Sequence, residues 1–180
     1  MITIEYFMTG ETMEEYRAYS NSEIEYLINK YGNTVYRLAL MKTKQKEKAD
    51  DIFQDVFVRL IGLRNRLDGE EHMRAWMIKT TLNCCKDLWK SAWNKHVVYE
   101  QQDVEACDEE PEVNNDIRII VMGLPDKYRI IVHLYYYEEF GIKEISKILK
   151  MNQNTVCTRL ARARRILKKE FENGGFHYEV

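Results

Sequence analysis

The chain has 180 residues, 45% of them hydrophobic, with a formal net charge of −2 and a sequence pI near 6.1. That length holds one ordinary domain or two small ones, and the charge balance excludes a uniformly basic coat for nucleic acid. Cys84, Cys85, Cys107 and Cys157 lack CxxC spacing and the histidines are scattered, so neither a zinc finger nor a disulfide framework is readable. No catalytic residue, metal or cofactor is predicted.

Glu5, Glu11, Glu14 and Glu15 mark a beginning without the cationic start and apolar core of a signal peptide. Residues 1–21 show weak periodicity and are read as a leader. Helical patterns then cover 22–44, 46–63, 70–93, 112–122, 126–138, 142–150 and 153–171, while strand-like alternation is nearly absent. The expected fold class is all-α: two small helical domains joined by an acidic linker, the C-terminal one containing a helix-turn-helix. The expected division is a domain at 22–97, a linker at 98–111, a second domain at 112–175 and a tail at 176–180. No apolar run reaches the roughly 20 residues needed to span a bilayer. A cytoplasmic chain with reduced thiols and no direct membrane insertion is expected.

In KADDIFQDVFVRLIGL, 48–63, the buried face is Ala49, Ile52, Phe53, Val56, Phe57, Leu60 and Leu63. Asp51, Gln54, Val58 and Ile61 fall on the opposite side, where water would favour charge at the two β-branched positions. This mixed stripe is read as a surface docked to another protein, although scattered exposed apolar residues are also common on monomers.

In the segment 70–95 the core face is Met73, Trp76, Met77, Thr80, Cys84 and Leu88. Lys79, Asn83, Lys86 and Lys90 form a separate stripe, with Trp89 and Trp93 near it. Ammonium groups, an amide and indole faces suit a single strand of DNA, and a solvated face with snorkelling lysines fits the same spacing. No Lys or Arg occurs between Lys95 and Arg118, where Glu100, Asp103, Glu105, Asp108, Glu109, Glu110, Glu112 and Asp116 crowd together. Such a segment has little to bury and is read as the linker. Tyr135, Tyr136 and Tyr137 with Phe140 are expected to be core rather than a stacking platform.

The stretch 141–170 carries two short helical patterns across a tight break. Ile142, Ile145, Ile148 and Leu149 line the buried face of the first. Asn152 is the expected N-cap of the second, whose core stripe is Val156, Leu160, Ala163, Ile166 and Leu167. Asn154, Thr158, Arg162 and Arg165 then turn outward, flanked by Thr155 and Arg159. Amide, hydroxyl and guanidinium groups without a carboxylate suit the major groove of duplex DNA; the other reading is an ordinary solvated basic helix.

In order, YGNTVYRLAL (31–40), DIFQDVFVRL (51–60), RAWMIKTTLNCCKDL (74–88), GLPDKYRIIVHLYYYEEFGIKEIS (123–146) and NTVCTRLARARRILK (154–168) resemble a bacterial RNA polymerase sigma factor. The likeness is to the sigma-70 family, in its extracytoplasmic-function (ECF) group, over about 22–171. It implies a promoter-directing initiation factor rather than an enzyme, with core RNA polymerase, promoter DNA and an anti-sigma factor as partners. Asp51, Gln54 and Asp55 would meet the clamp coiled coil of the polymerase largest subunit. Residues 74–90, with the loop 65–73, would melt the −10 region, Asn83 taking a position in the pocket for a flipped base. Residues 123–175 would bind the −35 element as duplex, on the polymerase β-flap, and the acidic linker would run toward the RNA exit channel. Cys157 departs from the Arg or Lys of many relatives, and the loop LDGEEH (67–72) is unusually acidic. The alternative is a stand-alone helix-turn-helix regulator of duplex DNA, which leaves the stripes at Asp51 and Lys79 without a purpose.

Overall fold

The computed structural model describes residues 18–94 and 120–173. The expected linker, the expected leader up to residue 17 and the C-terminal tail lie outside the described residues, as does all but the end of the helix expected at 112–122. Among the described residues every regular element is helical: α1 (Asn21–Thr43), α2 (Lys46–Ile61), α3 (Gly69–Asn94), α4 (Asp126–Val132), a π-helical segment (His133–Tyr137), α5 (Ile142–Ile148) and α6 (Gln153–Asn173).

The start of α1 is fixed by reciprocal capping. The Glu23 N–H donates to Ser20 Oγ at 3.4 Å, and the Ser20 N–H donates to Glu23 Oε2 at 2.9 Å, so each satisfies a donor that the helix end leaves unpaired. Its end is equally defined. Lys44 adopts φ 58°, and its N–H donates to the Leu40 carbonyl at 2.8 Å, which turns the chain sharply into α2.

The first core gathers Leu27, Tyr31, Val35 and Ala39 of α1, Ile52, Val56, Phe57 and Leu60 of α2, and Met73, Met77 and Cys84 of α3. The expected core faces of 48–63 and 70–95 are therefore observed, with Phe53, Leu63, Trp76 and Leu88 partly buried at their margins. Gly32 faces the Phe53 ring, where a Cβ would lie 3.4 Å away, in close van der Waals contact. Residues before α1 also join this unit. Tyr19 is 7% exposed, its hydroxyl accepts the Leu67 N–H at 2.8 Å, and the Ala18 N–H donates to the Leu63 carbonyl at 2.9 Å. The described residues thus reach back into the expected leader.

A second core contains Leu124, Tyr128, Ile131, Leu134 and Phe140, together with Ile145 of α5 and Val156, Leu160 and Ala163 of α6. The helix expected over 126–138 changes character halfway. The widened turn at His133–Tyr137 ends with the Glu138 N–H on the His133 carbonyl and the Phe140 N–H on the Leu134 carbonyl, with Glu139 at φ 52°. The tyrosine cluster is divided by this turn. Phe140 is buried and Tyr135 packs on the core, whereas Tyr136 and Tyr137 are half exposed. Arg129 is buried and ties the preceding turn, its Nη1 donating to the Met122 and Leu124 carbonyls, each at 2.9 Å. Burial pulls its pKa down, against the nearby Asp126 carboxylate.

Candidate nucleic-acid interface

The C-terminal surface is set by the turn between α5 and α6. Lys150 takes φ 52°, and the Met151 N–H returns to the Ser146 carbonyl at 2.9 Å. Asn152 Oδ1 then accepts the Asn154 N–H at 2.8 Å, so Asn152 caps α6 as expected. Burial of Val156, Leu160 and Ala163 fixes the rotation of this helix. Asn154, Thr158, Arg162 and Arg165 are consequently exposed, and Thr155 and Arg159 half-buried at the flanks. The Thr158 hydroxyl donates to the Asn154 carbonyl at 2.8 Å, which leaves its oxygen free to accept from an outside donor. Cys157 is exposed on the same surface.

One basic residue of α6 has a different job from its neighbours, and sequence periodicity did not single it out. Arg164 Nε donates to the Tyr136 hydroxyl at 2.7 Å, and its guanidinium carbon lies 5.5 Å and 5.6 Å from the ring centres of Tyr135 and Tyr136. The bond to Tyr136 is the main cause of its raised pKa. The signal available in the sequence was the tyrosine run itself, since half-exposed phenols beside a basic helix attract guanidinium groups.

On α3, Lys79, Asn83, Lys86 and Lys90 are all exposed, as expected. The helix is buried on more of its circumference than its expected core face. Ile78 and Cys85 are fully buried and Leu82 is 6% exposed, so the lysine stripe, with Asp87 and Trp89 beside it, lies on what remains open. Burial pushes the Cys85 thiol up to about 12, so it packs as a small apolar group. Trp89 is 48% exposed, but the Lys42 ammonium lies 5.2 Å from its ring centre and covers one face. The Trp93 side chain lies outside the described residues.

On α2, Asp51, Gln54, Asp55 and Val58 are exposed, Val58 by 65%. Ile61 departs from the expected outward stripe: it is half-buried and packs on the first core. The helix ends there, and Leu63 just beyond it packs on the same core.

The fold and its exposed faces define a two-unit, all-helical DNA-binding protein with a helix-turn-helix. Residues 27–95 match the Sigma-70 region 2 family and residues 116–167 the Sigma-70, region 4 family. The ECF RNA polymerase sigma factor SigM of Bacillus subtilis is 27% identical over 158 residues, spanning 84% of this chain and 96% of that protein. SigW of the same organism is 24% identical over 164 residues, spanning 82% and 88%. Among solved structures, the sigma factor RpoE in complex with the anti-sigma factor NepR from Bartonella quintana aligns with a TM-score of 0.68 at 15% identity, covering 84% of this chain and 98% of that one. CnrH in complex with the cytosolic domain of CnrY gives 0.61 at 18% identity, covering 86% and 90%. The chain belongs to the sigma-70 family of RNA polymerase sigma factors, in the ECF group, and acts in transcription initiation. No helix among the described residues is long and apolar enough to cross a membrane.

Proposed function

We propose that this chain is a dissociable initiation factor that docks on core RNA polymerase, reads a −35 element as duplex and holds a −10 element as melted single strand. It works in the cytoplasm and makes no covalent change. Asp51, Gln54, Asp55 and Val58 form the docking face, with Ile61 supporting it from beneath. Asn154, Thr155, Thr158, Arg159, Arg162 and Arg165 meet the duplex. Lys79, Lys86 and Lys90 follow phosphates of the nontemplate strand, and Asn83 pairs with an unstacked base. Binding that base offsets the few kcal/mol, roughly, lost on unstacking it. An anti-sigma factor is a further partner, in keeping with the complexes formed by the structural relatives.

The observation that carries the melting step is the α3 stripe: an amide among three ammonium groups on an exposed face of a helix whose other faces supply both cores. In vitro transcription with core polymerase on a genomic library identifies the promoter. On that promoter, Asn83→Ala leaves core binding and the closed complex intact and lowers permanganate reactivity of unpaired thymines. A template mismatched across the −10 region restores the signal. Wild-type melting by Asn83→Ala would make this face a solvated one.

A further inference from the structure

The outward stripe of α6 has a flank on either side. At about 100° per residue, Asn154, Thr158, Arg162 and Arg165 fall within about 80° of one another. Thr155 and Arg159, both half-buried, stand about a quarter-turn to one side, and Cys157, Ala161, Arg164 and Lys168, all exposed, about a quarter-turn to the other. A helix with its side chains is about 10–12 Å across and the major groove about 12 Å wide. A helix seated there therefore brings each flank against one sugar–phosphate wall. Arg159 supplies a cation to the first wall. On the second flank no carboxylate of α6 precedes Glu170, so this helix does nothing to repel a phosphate.

That second flank also carries a phenol from a different element. Tyr136 of the π-helical segment is 50% exposed. Arg164 Nε donates to its hydroxyl at 2.7 Å, and the guanidinium carbon lies 5.6 Å from its ring centre. The Tyr135 ring meets it edge-on, with centroids 5.0 Å apart. The ring is thus held by two neighbours while half of it faces solvent. An arginine offers no acceptor, so the bond occupies a lone pair of the phenolic oxygen and leaves the O–H proton to be donated elsewhere. Among the described residues no acceptor takes it. Accepting from a cation also polarises the phenol and strengthens it as a donor.

We infer that Tyr136 is a DNA-backbone contact: its hydroxyl, oriented by Arg164, donates to a phosphate on the groove wall opposite the one that Arg159 meets. The inference rests on the reading of α6 as the helix that enters the duplex. A phosphate fits this position better than a base edge for two reasons. Tyr136 stands off the stripe that faces the bases, and phosphate oxygens are acceptors only, which matches a single unused donor. Such a contact carries no sequence information. It fixes how deep and at what angle the helix sits, so that the groups on the reading stripe meet their bases. Arg164 is a positioning residue in this arrangement, acting on the phosphate through the phenol it holds.

The test uses the full chain assembled with core polymerase and a labelled promoter duplex. Tyr136→Phe keeps the ring and its contacts to Arg164 and Tyr135 and removes only the O–H. It weakens binding about five- to tenfold, by the same factor on every −35 sequence. The salt slope is unchanged, because a neutral donor releases no counterion. Replacing the phosphates of the −35 segment one at a time with neutral methylphosphonate locates the partner. One phosphate costs the wild-type protein the same factor and costs Tyr136→Phe nothing further, the non-additivity of two groups in contact. Arg164→Ala loses sensitivity at that same phosphate. Tyr136→Phe that binds as wild type would overturn the contact, and so would a weakened Tyr136→Phe that stays sensitive at every phosphate, the mark of a merely structural effect. Arg162→Ala judges the underlying reading separately. Its loss of affinity without coupling at Tyr136 removes this contact alone, whereas unchanged Arg162→Ala binding with no sensitive phosphate would overturn the groove assignment of α6 itself.

Discussion

Arg162 and Arg164 are two residues apart on α6, and the structure assigns them opposite thermodynamic signatures. Arg162 is exposed and engaged by no other side chain among the described residues. Removing it in Arg162→Ala should change stability by less than about 0.5 kcal/mol. If it reads a base, duplex binding should weaken by about 1–3 kcal/mol, with preference relaxed at one position; that range corresponds to roughly 5- to 150-fold in Kd. Arg164 instead spends its donors within the protein, in one hydrogen bond at 2.7 Å and two ring contacts. At an exposed site the bond is worth about 1 kcal/mol and the ring contacts together about 0.5–1 kcal/mol. Arg164→Ala should thus cost about 1–2 kcal/mol of stability, a fall of about 2–8 °C in Tm for a chain of this size. Fluorescence anisotropy of a labelled −35 duplex, titrated at several salt concentrations, and calorimetric melting of each variant separate the two. Arg162→Ala with wild-type affinity and salt slope would refute the groove assignment. Arg164→Ala that melts like wild type but loses DNA would show that its guanidinium faces phosphate rather than Tyr136.

Gln54→Ala combined with Val58→Glu should retain full helical content, because both positions are exposed, and should weaken pull-down of core polymerase; undiminished capture by the folded protein would remove α2 as the docking face. Glu23 has its pKa lowered from 4.5 to about 2, first by the Arg66 hydrogen bond and then by those from Ser20. A depressed folded-state value means stability that is present above pH 4.5 and lost as pH falls toward 2. Glu23→Gln should therefore flatten the decline of Tm between those limits, and an unaltered acid limb would show that the carboxylate is paired no better in the folded chain than in the unfolded one.

Local pattern determined much of this protein without any coordinates. The periodicity of 48–63 and 153–171 located the buried and open faces of α2 and α6, and Asn152 announced the start of α6, because those faces and caps depend on neighbours three or four residues away. The all-α class and the ordered family motifs were legible for the same reason. Contacts between distant segments were not. A single-stripe reading of α3 accounts for Met73, Met77 and Cys84 but not for Cys85, which joins the same core, nor for Ile78 and Leu82, whose burial requires a second surface arriving from elsewhere in the chain. Ile61 looked outward by its spacing but packs on the first core at the end of α2, and Tyr19 looked like leader until Leu67 supplied a donor for its hydroxyl. The π-helical turn at His133–Tyr137 divided a tyrosine run that composition treats as uniform, and so put Tyr136 where Arg164 could reach it. Glu138 reads as one more charge near a helix end. Only the tertiary structure brings Arg74 to it, and Thr34 from 104 residues away in the chain, since a pairing at that separation depends on where two whole units come to rest.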